Sequence, residues 1–246
     1  LRRLCLMLPF ELTKSLVRHT LAYDMMQSTR PETYSADAKG VYAVGISIKH
    51  RNGKFLTGNE ICAIVLLIKA YADAAEVYFN NGKKWNPKDP SDDVHRIDEQ
   101  FRSKLTGLDE PPRWANSAST IPKLRALVQV LEELAAAAAR AGRLDVPLTQ
   151  SPLMVGCTQR PIDETVRQHI PASGLHSTTA TYGLMLCAIQ FHGKGKIVPE
   201  SIAVPILATC EPEDLADGER LVTTLAQSLV NQTSFNIIEL GGTKDS

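Results

Sequence analysis

Val41-Tyr42-Ala43-Val44-Gly45-Ile46-Ser47-Ile48-Lys49 decides the fold. Val41, Tyr42, Val44, Ile46 and Ile48 supply β-branched and aromatic side chains, the composition of a strand. Arg51-Asn52-Gly53 follows as a turn, since Asn-Gly tolerates the positive φ that a tight reversal needs, and Lys54 to Thr57 reads as a short returning strand. Gly58-Asn59-Glu60 then opens a helix, with Asn59 as its N-cap, that runs to about Phe79 and is apolar on more than one face.

Working outward, residues 1–38 read as one or two short helices ending near Thr29-Arg30-Pro31, an N-terminal helical arm. From Asn80 to Pro112 the chain turns polar and turn-rich, interrupted by a short helix from Asp92 to Leu105. Ser119 or Thr120 caps a further helix, with Pro122 in its first turn, an alanine run at Ala135–Ala139 and Gly142 just past its end. Leu153 to Thr158 reads as a strand, and Arg160-Pro161 starts a helix to about His169. Thr179 to Phe191 fits helix or strand, with Gly183 favouring a strand late in the run. Ile202 to Ala208 is a strand by its β-branched content. Glu211 to about Asn231 is a helix with acidic residues in its first turn, and Phe235 to Leu240 closes as a strand. Helices and strands mix without a parallel βαβ rhythm. The expected class is therefore α+β: a small antiparallel sheet flanked by helices, with a large helical insertion at about 59–142 inside a domain spanning 39–246.

The chain has 246 residues, 43% of them apolar and 22% charged, which suits a globular domain with a sizeable core. The longest apolar run, Ile61 to Ile68, falls short of the ~18 residues a membrane span requires. No membrane partner is expected. Basic and acidic residues balance at 27 each, so any nucleic-acid binding would depend on a local groove rather than a general basic surface. Cys5, Cys62, Cys157, Cys187 and Cys210 are widely spaced and odd in number, which argues for reduced thiols and an intracellular location, cytoplasmic or nuclear. The start, Leu-Arg-Arg-Leu-Cys-Leu-Met-Leu-Pro-Phe, reads as a first helix rather than a leader peptide.

No phosphate-binding loop, GxGxxG, GxSxG or HExxH motif is present. The informative feature is an order of elements. Gly40-Val41-Tyr42 begins the first strand. Met154-Val155-Gly156-Cys157-Thr158 is a second strand, followed by the helix Ile162–His169. Glu219 lies in a later helix, and Asn236 follows it.

In that combination the chain resembles the GIY-YIG nuclease superfamily. Gly40-Val41-Tyr42 stands at the GIY element, Met154-Val155-Gly156 at the YIG element, and Ile162–His169 at the helix that carries the family's arginine and histidine. Glu219 stands at the metal-binding glutamate and Asn236 at the late asparagine. A second registration would put Leu56-Thr57-Gly58 at YIG through the Asn52-Gly53-Lys54 turn, but the helix after it lacks an arginine at the right place.

The resemblance implies cleavage of phosphodiesters with Mg²⁺ or Mn²⁺ on Glu219, Tyr42 assisting proton removal from water, and an arginine steadying the phosphate. It also implies roles for His169 in the site, and for Gly156 and Asn236 in binding. Two positions depart from that pattern. Met154 replaces the tyrosine of YIG, and Thr165 replaces the helix arginine, so a basic residue would have to be recruited from elsewhere, such as Arg160. The expectation is a member impaired or inactive as a nuclease that binds nucleic acid, a protein partner or a second copy of itself. The alternatives are an active metal-dependent endonuclease and an unrelated α+β interaction domain in which Glu219 is an ordinary helix-surface carboxylate.

Overall fold

The computed structural model describes residues 2–80, 92–100, 111–175, 178–209 and 211–226. Three strands form one antiparallel sheet: β1 (Gly40–Ile48), β2 (Leu153–Thr158) and β3 (Pro199–Ala208), in the order β2-β1-β3. The central place of β1 explains its sequence, because every one of its residues is buried. Strand alternation then divides its side chains between two cores.

Tyr42, Val44, Ile46 and Ile48 face α4 (Gly58–Asn80), α6 (Ile121–Arg140) and α8 (Ala180–Gly193). On this side Ile61, Ile64, Ile68 and Tyr71 of α4 pack with Leu124, Leu127 and Leu131 of α6. Val41 and Ala43 face the other way, toward α1 (Arg2–Met7), α2 (Phe10–Val17), α3 (Leu21–Met25) and α9 (Pro212–Leu225). There Leu4, Leu12, Leu16 and Leu21 are all at most 2% exposed, so the N-terminal helices are a cover of the sheet and not an arm. The segment between β1 and β2 contributes equally to the core on its own side. It is an insertion in sequence order only.

Remaining elements are α5 (Asp92–Glu99) and α7 (Ile162–Val166), with single 3₁₀ turns at Ala118–Thr120, Arg167–His169 and Pro171–Ser173. No helix among the described residues is long and apolar enough to cross a membrane.

Several sequence expectations need correction. Thr57, not Asn59, caps α4. Its hydroxyl accepts from Glu60 N at 3.2 Å while Glu60 Oε2 accepts from Thr57 N at 2.8 Å, a capping box. Arg51 adds a two-pronged ion pair to the same carboxylate at 2.7 Å on each prong. Burial alone would raise the Glu60 pKa, but the bonds from Arg51 and Thr57 hold it below the ordinary value. Asn59 turns outward to Asp145.

Lys54 to Thr57 joins no strand ladder. Lys54 O accepts from Ile48 N at the end of β1, but beyond it Phe55 N donates to Leu148 O and Leu148 N to Leu56 O, so the segment passes to the chain that enters β2. The Asn52-Gly53 turn does form, with φ of 51° and 79°. Thr179–Phe191 is helical throughout α8, capped by Thr179. That helix is buried around almost its whole circumference, so it carries no amphipathic period to read. The expected strand Phe235–Leu240 lies outside the described residues.

Candidate functional site

Tyr42 sits directly opposite Gly156 in the β1–β2 ladder. Both point to the same face, and a Cβ on Gly156 would lie 2.6 Å from the Tyr42 hydroxyl, so glycine is what lets the phenol lie across β2. On its other side Tyr42 meets β3 at a bulge, with Pro205 opposite it. Proline has no amide hydrogen to give the ladder and is tolerated here at a bulge, on a strand that is at the sheet edge among the described residues.

The Tyr42 hydroxyl reaches His169 Nε2 at 2.9 Å, with the ring centroids 5.9 Å apart. α7 and the 3₁₀ turn after it carry His169 to this point. Their start is fixed by Ile162 N donating to Ala38 O and Asp163 N to Ala36 O, just ahead of β1. A helix continuous to His169 was expected; the tighter last turn brings the imidazole under the sheet instead.

Burial holds the His169 pKa down at about 4, so the ring is neutral at pH 7. Burial, reinforced by the charges of Cys157 and Glu219, raises that of Tyr42, so the phenol keeps its proton. A neutral phenol and a neutral imidazole make a stable hydrogen bond and a poor base. Nδ1 of His169 is buried without a hydrogen-bond partner among the described residues. The histidine is also tied through its backbone, since Tyr182 Oη donates to Ser201 Oγ at 2.7 Å and Ser201 Oγ to His169 O at 3.3 Å. Sequence reasoning missed Tyr182 and Ser201, because β3 and α8 bring them in from distant parts of the chain.

Glu219 arrives from α9 on the opposite face of the sheet. Alternation puts Cys157, the neighbour of Gly156, on that face, and its thiol donates to Glu219 Oε2 at 3.3 Å. Gly218 lets α9 approach closely, because a Cβ there would sit 3.0 Å from Leu207 and 3.2 Å from Val41. At 7% exposure, Glu219 is no surface carboxylate. Burial raises its pKa, an effect the Cys157 hydrogen bond partly offsets.

The structure thus brings Tyr42, Gly156 and His169 together on one face, and Cys157 and Glu219 behind them on the other. Arg160 is exposed beyond the end of β2, and its guanidinium makes no ion pair among the described residues. Asn236 lies outside the described residues.

The two departures from the motif are accommodated as structure. Met154 is 2% exposed in the core, its sulfur within 4.0 Å of the Thr178 and Thr179 hydroxyls. Thr165 bonds Thr158 Oγ1 at 2.9 Å, closing the loop between β2 and α7. Mg²⁺ or Mn²⁺ asks for an octahedral shell of hard oxygens. Glu219 offers one buried carboxylate whose bonded neighbour is a thiol, and no group of three His, Cys, Asp or Glu side chains among the described residues could hold an ion.

Cys157 gives a direct check on this arrangement. Burial and the adjacent Glu219 carboxylate push its thiol up to about 12. Since the thiolate is the reactive form, iodoacetamide should label Cys157 on the order of a hundredfold more slowly than the exposed Cys5 and Cys62. Mass spectrometry of the labelled chain reads this out. Equal labelling of all three would mean that Cys157 does not face Glu219.

Fold and site together define a small antiparallel sheet covered on both faces by helices, with a buried Tyr–His pair on one side and a buried Cys–Glu pair on the other. No family model matches the chain, and no curated protein or solved structure matches it either.

Proposed function

We propose that this chain is a GIY-YIG-like domain impaired as a nuclease and acting in binding, of nucleic acid or of a protein partner. The observation that carries the reading is the pairing of Tyr42 with Gly156 across β1 and β2, with His169 delivered to the Tyr42 hydroxyl by the following helix. This juxtaposition is what the registration on Met154-Val155-Gly156 requires. The impairment rests on four features: the buried Met154, the Thr165 hydroxyl in place of a guanidinium, the neutral Tyr42–His169 pair, and Glu219 bonded to a thiol. Loss of a transition-state cation alone typically removes about two to three orders of magnitude of rate.

Balanced charge weighs against a general nucleic-acid surface. A protein partner or a second copy would rest on exposed apolar side chains such as Leu6 at 80% and Phe10 at 77%. The free thiols at Cys5, Cys62, Cys157 and Cys187 accord with an intracellular location, cytoplasmic or nuclear.

The test is calorimetry with Mg²⁺ and Mn²⁺ on the wild type and on Glu219→Gln, beside cleavage of branched and duplex DNA. The expected result is no cleavage and no cation heat that depends on Glu219. Cation-dependent cleavage abolished by Glu219→Gln would establish an active endonuclease and overturn the impaired reading.

A further inference from the structure

Positive charge gathers at the end of the sheet away from Tyr42 and His169. Tyr42 stands near the start of β1, and Lys49 follows its end, about 23 Å further along the strand. Two turns meet there: Lys49-His50-Arg51-Asn52-Gly53-Lys54 after β1, and His192-Gly193-Lys194-Gly195-Lys196-Ile197-Val198 before β3. Ile48 is opposite Pro199 in the ladder and Lys49 N donates to Val198 O at 2.9 Å, so the turns lie side by side. Neither contains an aspartate or glutamate, and together they hold five of the chain's 27 basic residues.

Backbone bonds fix both turns. Ile48 N donates to Lys54 O at 2.9 Å and Lys54 N to Arg51 O at 3.1 Å in the first, Lys194 N to Phe191 O at 3.3 Å and Lys196 N to Gly193 O at 2.7 Å in the second. A Cβ on Gly193 would lie 2.6 Å from Ile197 Cβ, so the second turn folds tightly onto the end of α8. The side chains of Lys49, Lys194 and Lys196 stay in water, and Lys54 is half-buried. Arg51 is neutralised by Glu60, whereas the four lysines make no ion pair or side-chain hydrogen bond among the described residues. Glu200 is the first acidic residue after the second turn. Four lysines against that one glutamate leave a positive patch on a chain whose total charge is zero.

Such a patch needs no fixed spacing between its charges to hold a polyanion. Binding is driven by release of condensed counterions, and the number of cations in reach sets its strength. The turns contain no Phe, Tyr or Trp on which the bases of a single strand could stack, which favours a duplex. Val198, 40% exposed, is the one large apolar side chain at the surface of these turns, too little to anchor in a bilayer.

We propose that Lys49, Lys54, Lys194 and Lys196 form a docking surface for the phosphate backbone of double-stranded nucleic acid, held without base readout. The proposal rests on the binding reading above and assigns that binding to the far end of the sheet.

The experiment is fluorescence anisotropy of the full chain with labelled DNA and RNA duplexes of mixed sequence, from about 50 to 200 mM salt. The expected result is sequence-independent binding of a duplex, with log Kd rising against log salt at a slope of about 3–4 for DNA. The triple variant Lys49→Gln, Lys194→Gln, Lys196→Gln changes exposed side chains and should keep the wild-type Tm. It should lower the slope by about 3 and weaken binding at least tenfold at the lowest salt. Duplex binding unchanged in that variant, or lost instead in Arg160→Gln with Arg167→Gln, would overturn the surface and leave nucleic-acid binding by the domain standing. No binding of either duplex would overturn the proposal together with the nucleic-acid half of the reading, while the protein-partner half would stand. Polyglutamate or phosphatidylserine vesicles that displace the duplex at a lower concentration of charge would assign the lysines to a different acidic partner and overturn the proposal.

Discussion

Acidification from pH 6.5 to about 4 is expected to remove about 3 kcal/mol of stability through His169 alone. The ring is 6% exposed, and among the described residues its side chain bonds a neutral phenol and no carboxylate compensates a charge on it. The folded pKa of about 4 lies below the ordinary 6.5, so within this window the unfolded chain binds a proton that the folded chain refuses. Stability therefore rises with pH across the window and is lost as pH falls through it. Glu219 works in the opposite sense: its folded pKa is raised, so acid relieves the cost of burying its charge. Comparison with a His169 variant separates the two contributions. Urea unfolding of the wild type and of His169→Gln across this pH range checks the effect, because glutamine can still bond the Tyr42 hydroxyl but cannot titrate. The wild type should lose stability more steeply, and parallel curves would show that His169 is not buried neutral.

Gly183→Ala should unfold the protein by about 3 kcal/mol or more, although the same change in an ordinary helix stabilises by about 1 kcal/mol. The reason is Trp114, whose ring lies flat on the glycine. A Cβ at position 183 would fall 2.0 Å from Cζ3 and 2.3 Å from Cη2. The indole cannot move aside. It is 3% exposed, its backbone N donates to Tyr71 Oη at 3.0 Å, and the Arg113 guanidinium covers its ring at 4.4 Å. Arg113 is fixed in turn, with its backbone N on Asp98 at 2.8 Å and its side chain on Gln100 O at 2.7 Å. Chemical denaturation of Gly183→Ala, and of Gly183→Ala combined with Trp114→Leu, gives the measurement. Partial rescue in the double variant would locate the cost at this contact, and a neutral or stabilising Gly183→Ala would contradict the packing.

The sign of that second prediction shows where sequence reading stops. Gly183 suggests a strand when α8 is read alone, because glycine is a poor helix former and no polar stripe marks the helix. The residue is glycine because of Trp114, almost seventy positions earlier in the chain. The N-cap of α4 fails for a milder reason. Thr57 and Glu60 form a legible capping box, but the adjacent asparagine offers a competing local signal. Thr57 wins because Arg51, held by the turn before it, pins the Glu60 carboxylate.

The candidate site divides in the same way. Tyr42, Gly156 and His169 are legible as an order of elements, and the ladder register brings them together. That Glu219 meets the sheet from behind, at Cys157, is not legible, since it depends on which face α9 covers.

What the sequence determined by itself is local and periodic: the strand character of residues 41–48, 153–158 and 202–208, the Asn-Gly turn, the long helices at 58–80 and 121–140, and hence the α+β class with a small antiparallel sheet. These follow from side-chain shape, β-branching and apolar spacing, which act within a few residues. Tertiary structure alone decided that β1 is central and buried on both faces, that the N-terminal helices cover one of those faces, and that Tyr42 and Glu219 approach the sheet from opposite sides. Those outcomes rest on which apolar surfaces exclude water together, a property of the whole chain and of no single stretch.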